Sequence, residues 1–249
     1  MFLRDISLSI PEENILFDDV LLYLAEQSQG EETLRFWESK ELFIVLGRLS
    51  SLEEDIDLKE IEANRIRVLR RSSGGGTVLQ GRGCLNYSLI LNKNSHPGLF
   101  DLRKSYEYIL GKVKTALDAC GIRAAFHPIS DIALKDHQKK ISGNAQKRGR
   151  HFILHHGTIL YDFDLTLITR YLKMPKQIPD YRNKRAHTDF VSNAALDPTK
   201  FKEQLAKDFS ADKICNQISE KERQVLNEFM LRKNVAVEIS SLGQHAHAR

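Results

Sequence analysis

The sequence is poor in cysteine: it has three in 249 residues, an odd number, and none belongs to a Cys-x-x-Cys pair. Cys84, Cys120 and Cys215 lie far apart, so the pattern predicts neither a disulfide framework nor a thiolate zinc site. We therefore expect the reducing environment of the cytoplasm as the setting of this chain.

Long apolar runs are also missing. The longest, such as Leu42 to Leu46, are far shorter than the roughly 20 residues of a membrane helix. The acidic N-terminal segment has no apolar signal core, so we expect neither membrane insertion nor secretion. Neither positive nor negative residues dominate: 37 Lys and Arg against 33 Asp and Glu give a formal net charge of +4. This mild excess fits an anionic ligand, and the scarcity of aromatics among the basic residues argues against nucleic acid.

Apolar periodicity predicts abundant secondary structure. A capping box at Ser9–Glu12 opens a first helix, residues 101–120 form the clearest helix, and two helices close the chain at about 198–208 and 219–232. Strands are predicted at 34–37, 42–46, 65–70, 85–91, 122–126, 130–134, 139–145, 151–154 and 156–161. A basic, proline-punctuated stretch from about residue 175 is interpreted as loop. The sequence thus predicts an α+β fold, a mixed sheet flanked by helices, in a main domain at 1–190 and a small helical extension at 191–249.

The most informative stretch is a glycine loop, Arg70-Arg71-Ser72-Ser73-Gly74-Gly75-Gly76, between two predicted strands. Consecutive glycines let backbone amides converge on an anion, and the arginines add charge suited to phosphate or carboxylate. The alternative is a structural bulge or tight hairpin. Neither a Walker loop nor a Rossmann fingerprint fits, because no Gly-Lys-Ser/Thr and no Gly-x-Gly-x-x-Gly spacing is present.

A second group of polar residues lies downstream: Asp131, the stretch Lys139 to Gln146, and His155 to Thr158. A lysine in a strand that is followed by Ser-Gly can direct its ammonium into a cleft. Because successive strand residues point to opposite faces, only one of Lys139 and Lys140 can do so. The alternative is a solvated basic face.

Together these motifs resemble the lipoate–protein ligase family, within the superfamily of biotin and lipoate ligases and octanoyltransferases. The matching residues follow the family's order over about residues 34–165: Leu34 to Trp37, Gly47-Arg48, Arg70 to Gly76, Asn86 to Ser88, Asp131, Lys140 to Gln146 and His156 to Thr158. The resemblance implies a core like that of class II aminoacyl-tRNA synthetases. It also implies that ATP activates lipoate or octanoate as an acyl-adenylate. The acyl group then passes to a lysine of a lipoyl domain, in a 2-oxoacid dehydrogenase subunit or in glycine cleavage H protein.

The resemblance also implies roles for individual residues. Lys140, which stands two residues before Ser142-Gly143, corresponds to the catalytic lysine, and Asp131 to a residue that orients Mg²⁺. The residues implied to bind substrate and ATP are Arg70, Ser72, Gly74, Gly75, Gly76, Asn86, Ser142, Gly143, Ala145, His156, Gly157 and Thr158.

The match departs from the family pattern in places. Leu49-Ser50-Ser51 replaces the usual Asn-Gln-Asn, Ser130 replaces an asparagine and Gln80-Gly81 replaces His-Asp. The large accessory domain of longer ligases does not fit, which leaves open a separate accessory polypeptide or a chain that carries out only the transfer half-reaction.

Two alternative functions remain. One is an ATP-independent octanoyl or lipoyl transferase that acts between carrier proteins. Its usual cysteine is replaced by Ala125, so Cys84 would have to be the nucleophile. The other is a non-catalytic binding module, which the retained Lys140 and glycine loop disfavour.

Overall fold

The computed structural model describes residues 1–28, 30–128, 130–176 and 178–239, so residues 240–249 of the predicted extension lie outside it. The strands in chain order are β1 (Phe2–Asp5), β2 (Thr33–Trp37), β3 (Phe43–Leu46), β4 (Arg67–Arg70), β5 (Val78–Gln80), β6 (Cys84–Asn92), β7 (Ala124–His127), β8 (Asp131–Leu134), β9 (Lys140–Arg148), β10 (Phe152–Leu160) and β11 (Lys213–Ile214). The α-helices are α1 (Pro11–Ser28), α2 (Leu52–Asp55), α3 (Leu58–Asn64), α4 (Leu102–Ala119), α5 (Thr166–Tyr171), α6 (His187–Phe190), α7 (Pro198–Asp208) and α8 (Glu220–Arg232). Two short 3-10 helices span Pro97–Phe100 and Asp180–Arg182.

Eight strands form one mixed sheet in the order β11-β1-β2-β6-β10-β9-β8-β7, and β4-β3-β5 form a second, smaller sheet. In the large sheet β1 runs parallel to β2 and β11, whereas the other neighbours are antiparallel. The predicted mixed sheet flanked by helices is therefore confirmed.

Helices cover both faces of the large sheet. One core packs β6 and β10 against α4 and α7, as in the contact group of Leu89, Ile109 and Phe201. A second core lies on the opposite face, where α1 and α8 cover Ile90 and Phe152. Burial of such apolar surface contributes about 25 cal/mol per Å². The small sheet packs on α2, α3, α5 and α6 in a core of its own. No helix among the described residues is both long and apolar enough to span a membrane.

Local signals account for the helix ends that the sequence predicts correctly. The Asp101 carboxylate accepts a hydrogen bond from the Lys104 amide at 2.7 Å and caps α4. The predicted capping box of Ser219 and Glu222 opens α8. Pro198 is the first residue of α7, where its missing amide costs nothing.

Some strand predictions are wrong in detail. The strands predicted at 151–154 and 156–161 are one continuous strand, β10, because its ladder with β6 runs unbroken from Phe152 to Leu160. The strand predicted from Arg65 begins at Arg67. Arg65 itself ends α3 in the left-handed conformation, at φ 53°.

Candidate active site

A cavity of about 630 Å³ opens between the two sheets. The small sheet contributes the end of the glycine loop and strand β5, from Gly75 to Gln80. The large sheet contributes Asp131, Lys140, Ser142, Gly143 and Thr158. The third wall is formed by the chain between α5 and α7, including Lys173, Arg182, His187 and Phe190. The lining mixes aliphatic side chains such as Leu160 and Leu172 with polar ones such as Asp55 and Lys176, a combination that suits a ligand with apolar and charged parts.

Lys140 lines this cavity. Its Nζ is 2.8 Å from Asp131 Oδ1, and the two side chains are 29% and 12% exposed. A Cβ added at Gly143 would lie 3.1 Å from the same Nζ, so glycine leaves the ammonium room. Among the described residues Lys140 lines the cavity and Lys139 does not.

Tyr181 holds the other oxygen of Asp131: its hydroxyl donates to Oδ2 at 2.7 Å. Burial first, and then the charge of Asp131, raise the pKa of Tyr181, so the phenol stays protonated and remains a donor. Both carboxylate oxygens of Asp131 therefore have fixed partners.

The glycine loop is organised by the buried guanidinium of Arg71. Its Nη2 donates to the carbonyls of Gly74 at 2.7 Å and Gly76 at 2.8 Å. Burial lowers the pKa of Arg71 to about 10, so it remains charged at neutral pH. Gly75 has φ +85°, and a Cβ at Gly47 would come within 1.9 Å of the Gly75 carbonyl oxygen. The loop is therefore fixed in shape before a ligand enters.

Two predicted binding residues bond to the protein instead of facing the cavity. Arg70 donates to the carbonyls of Gly47 at 2.9 Å and Ser50 at 2.8 Å, and so ties down the neighbouring loop. Ser72 donates to Asp19 Oδ1 at 2.6 Å. Arg70 thus supports the cavity wall through Ser50, which lines the cavity, whereas Ser72 ties the glycine loop to α1.

His156 lies beneath the glycine loop, where its Nε2 is 2.7 Å from Ser73 Oγ. Burial, and then the charge of Arg71, lower its pKa to about 3, so the imidazole is neutral at physiological pH. It can pair with a hydroxyl but does not serve as a cationic anion ligand. Ala145 also lies beneath the loop, since a Cβ at Gly75 would be 3.6 Å from its Cβ.

Asn86 and Thr158 belong to a ring of hydrogen bonds that includes Gln80. Asn86 Nδ2 donates to Gln80 Oε1 at 3.0 Å, Gln80 Nε2 donates to Thr158 Oγ1 at 2.8 Å, and Thr158 Oγ1 donates to Asn86 Oδ1 at 2.6 Å. Gln80 and Thr158 line the cavity, which joins this ring to the site. From the sequence alone, Gln80 is notable only as a departure from the family pattern.

Gly157 has a structural reason to be glycine. A Cβ there would lie 1.9 Å from Asn144 Oδ1 and 2.7 Å from the Tyr87 hydroxyl oxygen. Tyr87 donates to that same oxygen of Asn144. Gly157 therefore makes space for a buried hydrogen bond on the sheet face opposite to Thr158, its neighbour in the strand.

Sequence reasoning missed the chain between residues 180 and 190, interpreted there as loop. It contains a 3-10 helix and α6, and its Arg182, His187 and Phe190 line the cavity. Arg182 is buried, with its guanidinium 4.6 Å from the Phe190 ring centroid. The signal for this was a tyrosine, two arginines and a histidine within one proline-flanked stretch.

Cys84, the nucleophile of the alternative transferase, is fully buried, and its Sγ contacts the Leu79 carbonyl oxygen at 4.0 Å. Burial raises the pKa of its thiol to about 12, which suppresses the thiolate that would react. The structure places Cys84 in the core of the small sheet.

Comparison with known proteins identifies the family of this chain. Residues 10–221 match the family model of the lipoyl protein ligase A/B catalytic domain. The chain belongs to that family. A probable lipoate-protein ligase A of Mycoplasma pneumoniae is 32% identical over 170 residues, covering 68% of this chain and 48% of the relative. Octanoyltransferase LipM of Brevibacillus brevis is 26% identical over 229 residues, covering 81% and 82%. The chain spans about half the length of the Mycoplasma ligases it matches.

Solved structures of this family share the fold. A chain from an archaeal lipoylation system, described as a bi-partite lipoate protein ligase and its E2 lipoyl domain from Thermoplasma acidophilum, superposes with a TM-score of 0.76. It is 24% identical, with 94% of this chain and 93% of that chain covered. A lipoate-protein ligase A bound with ATP gives a TM-score of 0.73 at 24% identity, with 93% and 94% covered.

Proposed function

We propose that this protein is an ATP-dependent lipoate–protein ligase, which activates lipoate or octanoate as an acyl-adenylate and transfers the acyl group to a lysine of a lipoyl domain. The observation that carries the proposal is one cavity lined by the Lys140–Asp131 pair and by the preformed glycine loop. A relative named as a lipoate-protein ligase, at 32% identity, supports it.

The proposed first step joins two anions, and the site offers what this needs. An oxygen of the acid attacks the α-phosphorus of ATP while the bond to pyrophosphate breaks. The Lys140 ammonium would lie between the carboxylate and the α-phosphate and stabilise the charge that builds up there. A preorganised donor of this kind contributes about 10²–10³ in rate. The apolar part of the cavity excludes water from the mixed anhydride.

In the second step the neutral amine of the acceptor lysine attacks the carbonyl carbon, the acyl C–O bond of the mixed anhydride breaks, and AMP leaves with its electron pair. The acceptor nitrogen must lose a proton on the way. Lys140 would again assist by holding the departing phosphate. The Arg71-fixed glycine loop would keep the acyl-adenylate in place between the two steps.

The donor set fits Mg²⁺ that is held mainly by substrate phosphates. Within the described part of the chain no cluster of three or more His, Cys, Asp or Glu is placed to hold a metal ion alone. Asp131 lines the cavity and offers one carboxylate, whose oxygens each retain a lone pair beside their bonds to Lys140 and Tyr181, as Mg²⁺ sites completed by phosphate oxygens require. When bound, Mg²⁺ would neutralise part of the negative charge of the substrate phosphates.

We also propose a division of labour along the chain. Residues 1–190 would carry the chemistry. The predicted extension that begins at residue 191 would support it, because its α7 and β11 pack in the core and the large sheet. The acceptor would be a lipoyl domain, and a separate accessory polypeptide is a further candidate partner.

An ATP-independent octanoyl transferase is the second candidate. The match to an octanoyltransferase over 82% of that protein's length favours it. The burial of Cys84 weighs against it, because a thioester would have to form on a sealed thiol.

Exchange of labelled pyrophosphate into ATP tests the proposal directly, because the label enters ATP only when adenylation runs in reverse. We expect exchange that requires lipoate or octanoate together with Mg²⁺. Absence of exchange with either acid, in protein that accepts an octanoyl group from an acyl carrier protein thioester, would establish the transferase instead.

A further inference from the structure

The chain from Tyr181 to Ser192 holds the hairpin that carries Asp131 and Lys140. Arg185 reaches the hairpin turn, where Nη2 donates to the Gln138 carbonyl at 3.0 Å. The Ser192 amide donates to the Lys140 carbonyl at 2.9 Å. These contacts fix the backbone at the start of β9, from which the Lys140 side chain enters the cavity.

Tyr181 adds a contact to the reactive groups themselves. Its ring is stacked on His127, with centroids 4.1 Å apart and planes 16° apart, and it contacts Phe190 at 5.1 Å on another side. A ring held in this way cannot swing, so its hydroxyl has a fixed direction. That hydroxyl donates to Asp131 Oδ2 at 2.7 Å, while Asp131 Oδ1 is 2.8 Å from Lys140 Nζ.

Tyr181 and Lys140 bind different oxygens of the Asp131 carboxylate. A carboxylate bound at one oxygen can still rotate, and its ion pair would then move with it. With both oxygens bound, Asp131 can present Oδ1 in one direction only. We propose that Tyr181 is a positioning residue, which acts through Asp131 to hold the Lys140 ammonium where the carboxylate and the α-phosphate meet. This inference rests on the proposed ligase function.

Tyr181→Phe is the informative variant because it keeps the stacked ring and removes only the hydroxyl. A hydrogen bond to a charged group corresponds to a rate factor of about 10 to 100 when its loss misplaces a catalytic group. We expect kcat for acid-dependent pyrophosphate exchange to fall about tenfold or more, with KM for the acid changed less than about twofold. Tyr161→Phe is the matched control. Its hydroxyl donates to Glu38 Oε2 at 2.8 Å, away from the cavity, and its kcat should equal that of the wild type.

A double-mutant cycle separates positioning from a general structural role. In an Asp131→Ala background the hydroxyl has nothing to act through, so adding Tyr181→Phe should cause no further loss of kcat. An equal loss in both backgrounds would overturn the proposal, as would a Tyr181→Phe enzyme with wild-type kcat.

The same four proteins can be compared by urea unfolding, which needs no substrate. Tyr181→Phe should lower the unfolding midpoint in the wild type and change it little beside Asp131→Ala. Equal shifts in both backgrounds would refute the link between the two residues. If the wild-type protein shows no exchange, the proposed function is overturned together with the catalytic role that rests on it. The unfolding cycle would then test only the hydrogen bond between Tyr181 and Asp131.

Discussion

Replacement of Lys140 by alanine is the sharpest test of the site. The ammonium lies 2.8 Å from Asp131 and the Lys140 side chain is 29% exposed, so its loss removes a partly solvated ion pair whose contribution to stability is reduced by screening. Asp131 keeps its hydrogen bond from Tyr181. The variant should therefore fold normally. Because one preorganised donor contributes about 2.7–4 kcal/mol to the transition state, adenylation should slow by about 10²–10³.

Lys139→Ala supplies the matched control, since it removes the same charge one residue earlier. Lys139 does not line the cavity among the described residues, so the rate should change only slightly. Pyrophosphate exchange measures both variants, with circular dichroism as the check on folding. Equal small effects at the two lysines would refute the assignment of Lys140. A large effect at Lys139 alone would mean that the strand register is the reverse of the one described.

Three further predictions concern buried residues. Cys84→Ser should keep most exchange activity, and complete loss in a folded variant with a trapped acyl-enzyme in the parent would contradict the ligase assignment. His155 is fully buried, and burial lowers its pKa from 6.5 to about 3. As the pH falls, the imidazole therefore takes up a proton in the unfolded chain before it does so in the folded chain. The contribution of His155 to stability is complete above about pH 6.5 and is lost as the pH falls toward 3. His155→Gln should remove up to about 1.4 kcal/mol per pH unit from the slope of the unfolding free energy between pH 6.5 and 5, and a slope equal to that of the wild type would refute this. Gly157→Ala should lower the unfolding free energy by about 1–3 kcal/mol in urea titrations, because the added methyl overlaps Asn144, and an unchanged midpoint would contradict that geometry.

Sequence reasoning succeeded where the deciding signal is local. Helix α4 begins at a capping aspartate and ends just before Gly121, at φ +82°, and these features are contained in the residues themselves. The capping box of α8 is equally local. Much of the large sheet was predictable because strands such as β2, β6 and β10 are rich in apolar residues. Strands β1 and β11 were not predicted.

The rest depends on contacts between distant segments. Arg70 and Arg71 suggested ligands for an anion, yet their hydrogen bonds go to carbonyls of the protein, and nothing in their neighbours' identity reveals this. Tyr181 meets Asp131 across 50 positions of the chain. In the same way β10 is continuous because β6 pairs with it throughout, whereas its own sequence contains two histidines and a glycine that suggest a break.

Mass spectrometry of an apo lipoyl domain, incubated with the pure protein, tests the central claim most directly. The reaction is run with lipoate or octanoate in the presence and absence of ATP and Mg²⁺, and in parallel with octanoyl acyl carrier protein alone. The account predicts that the domain gains the mass of one acyl group on a lysine only when free acid and ATP are both present. Modification from the carrier thioester without ATP, and none from free acid with ATP, would contradict it.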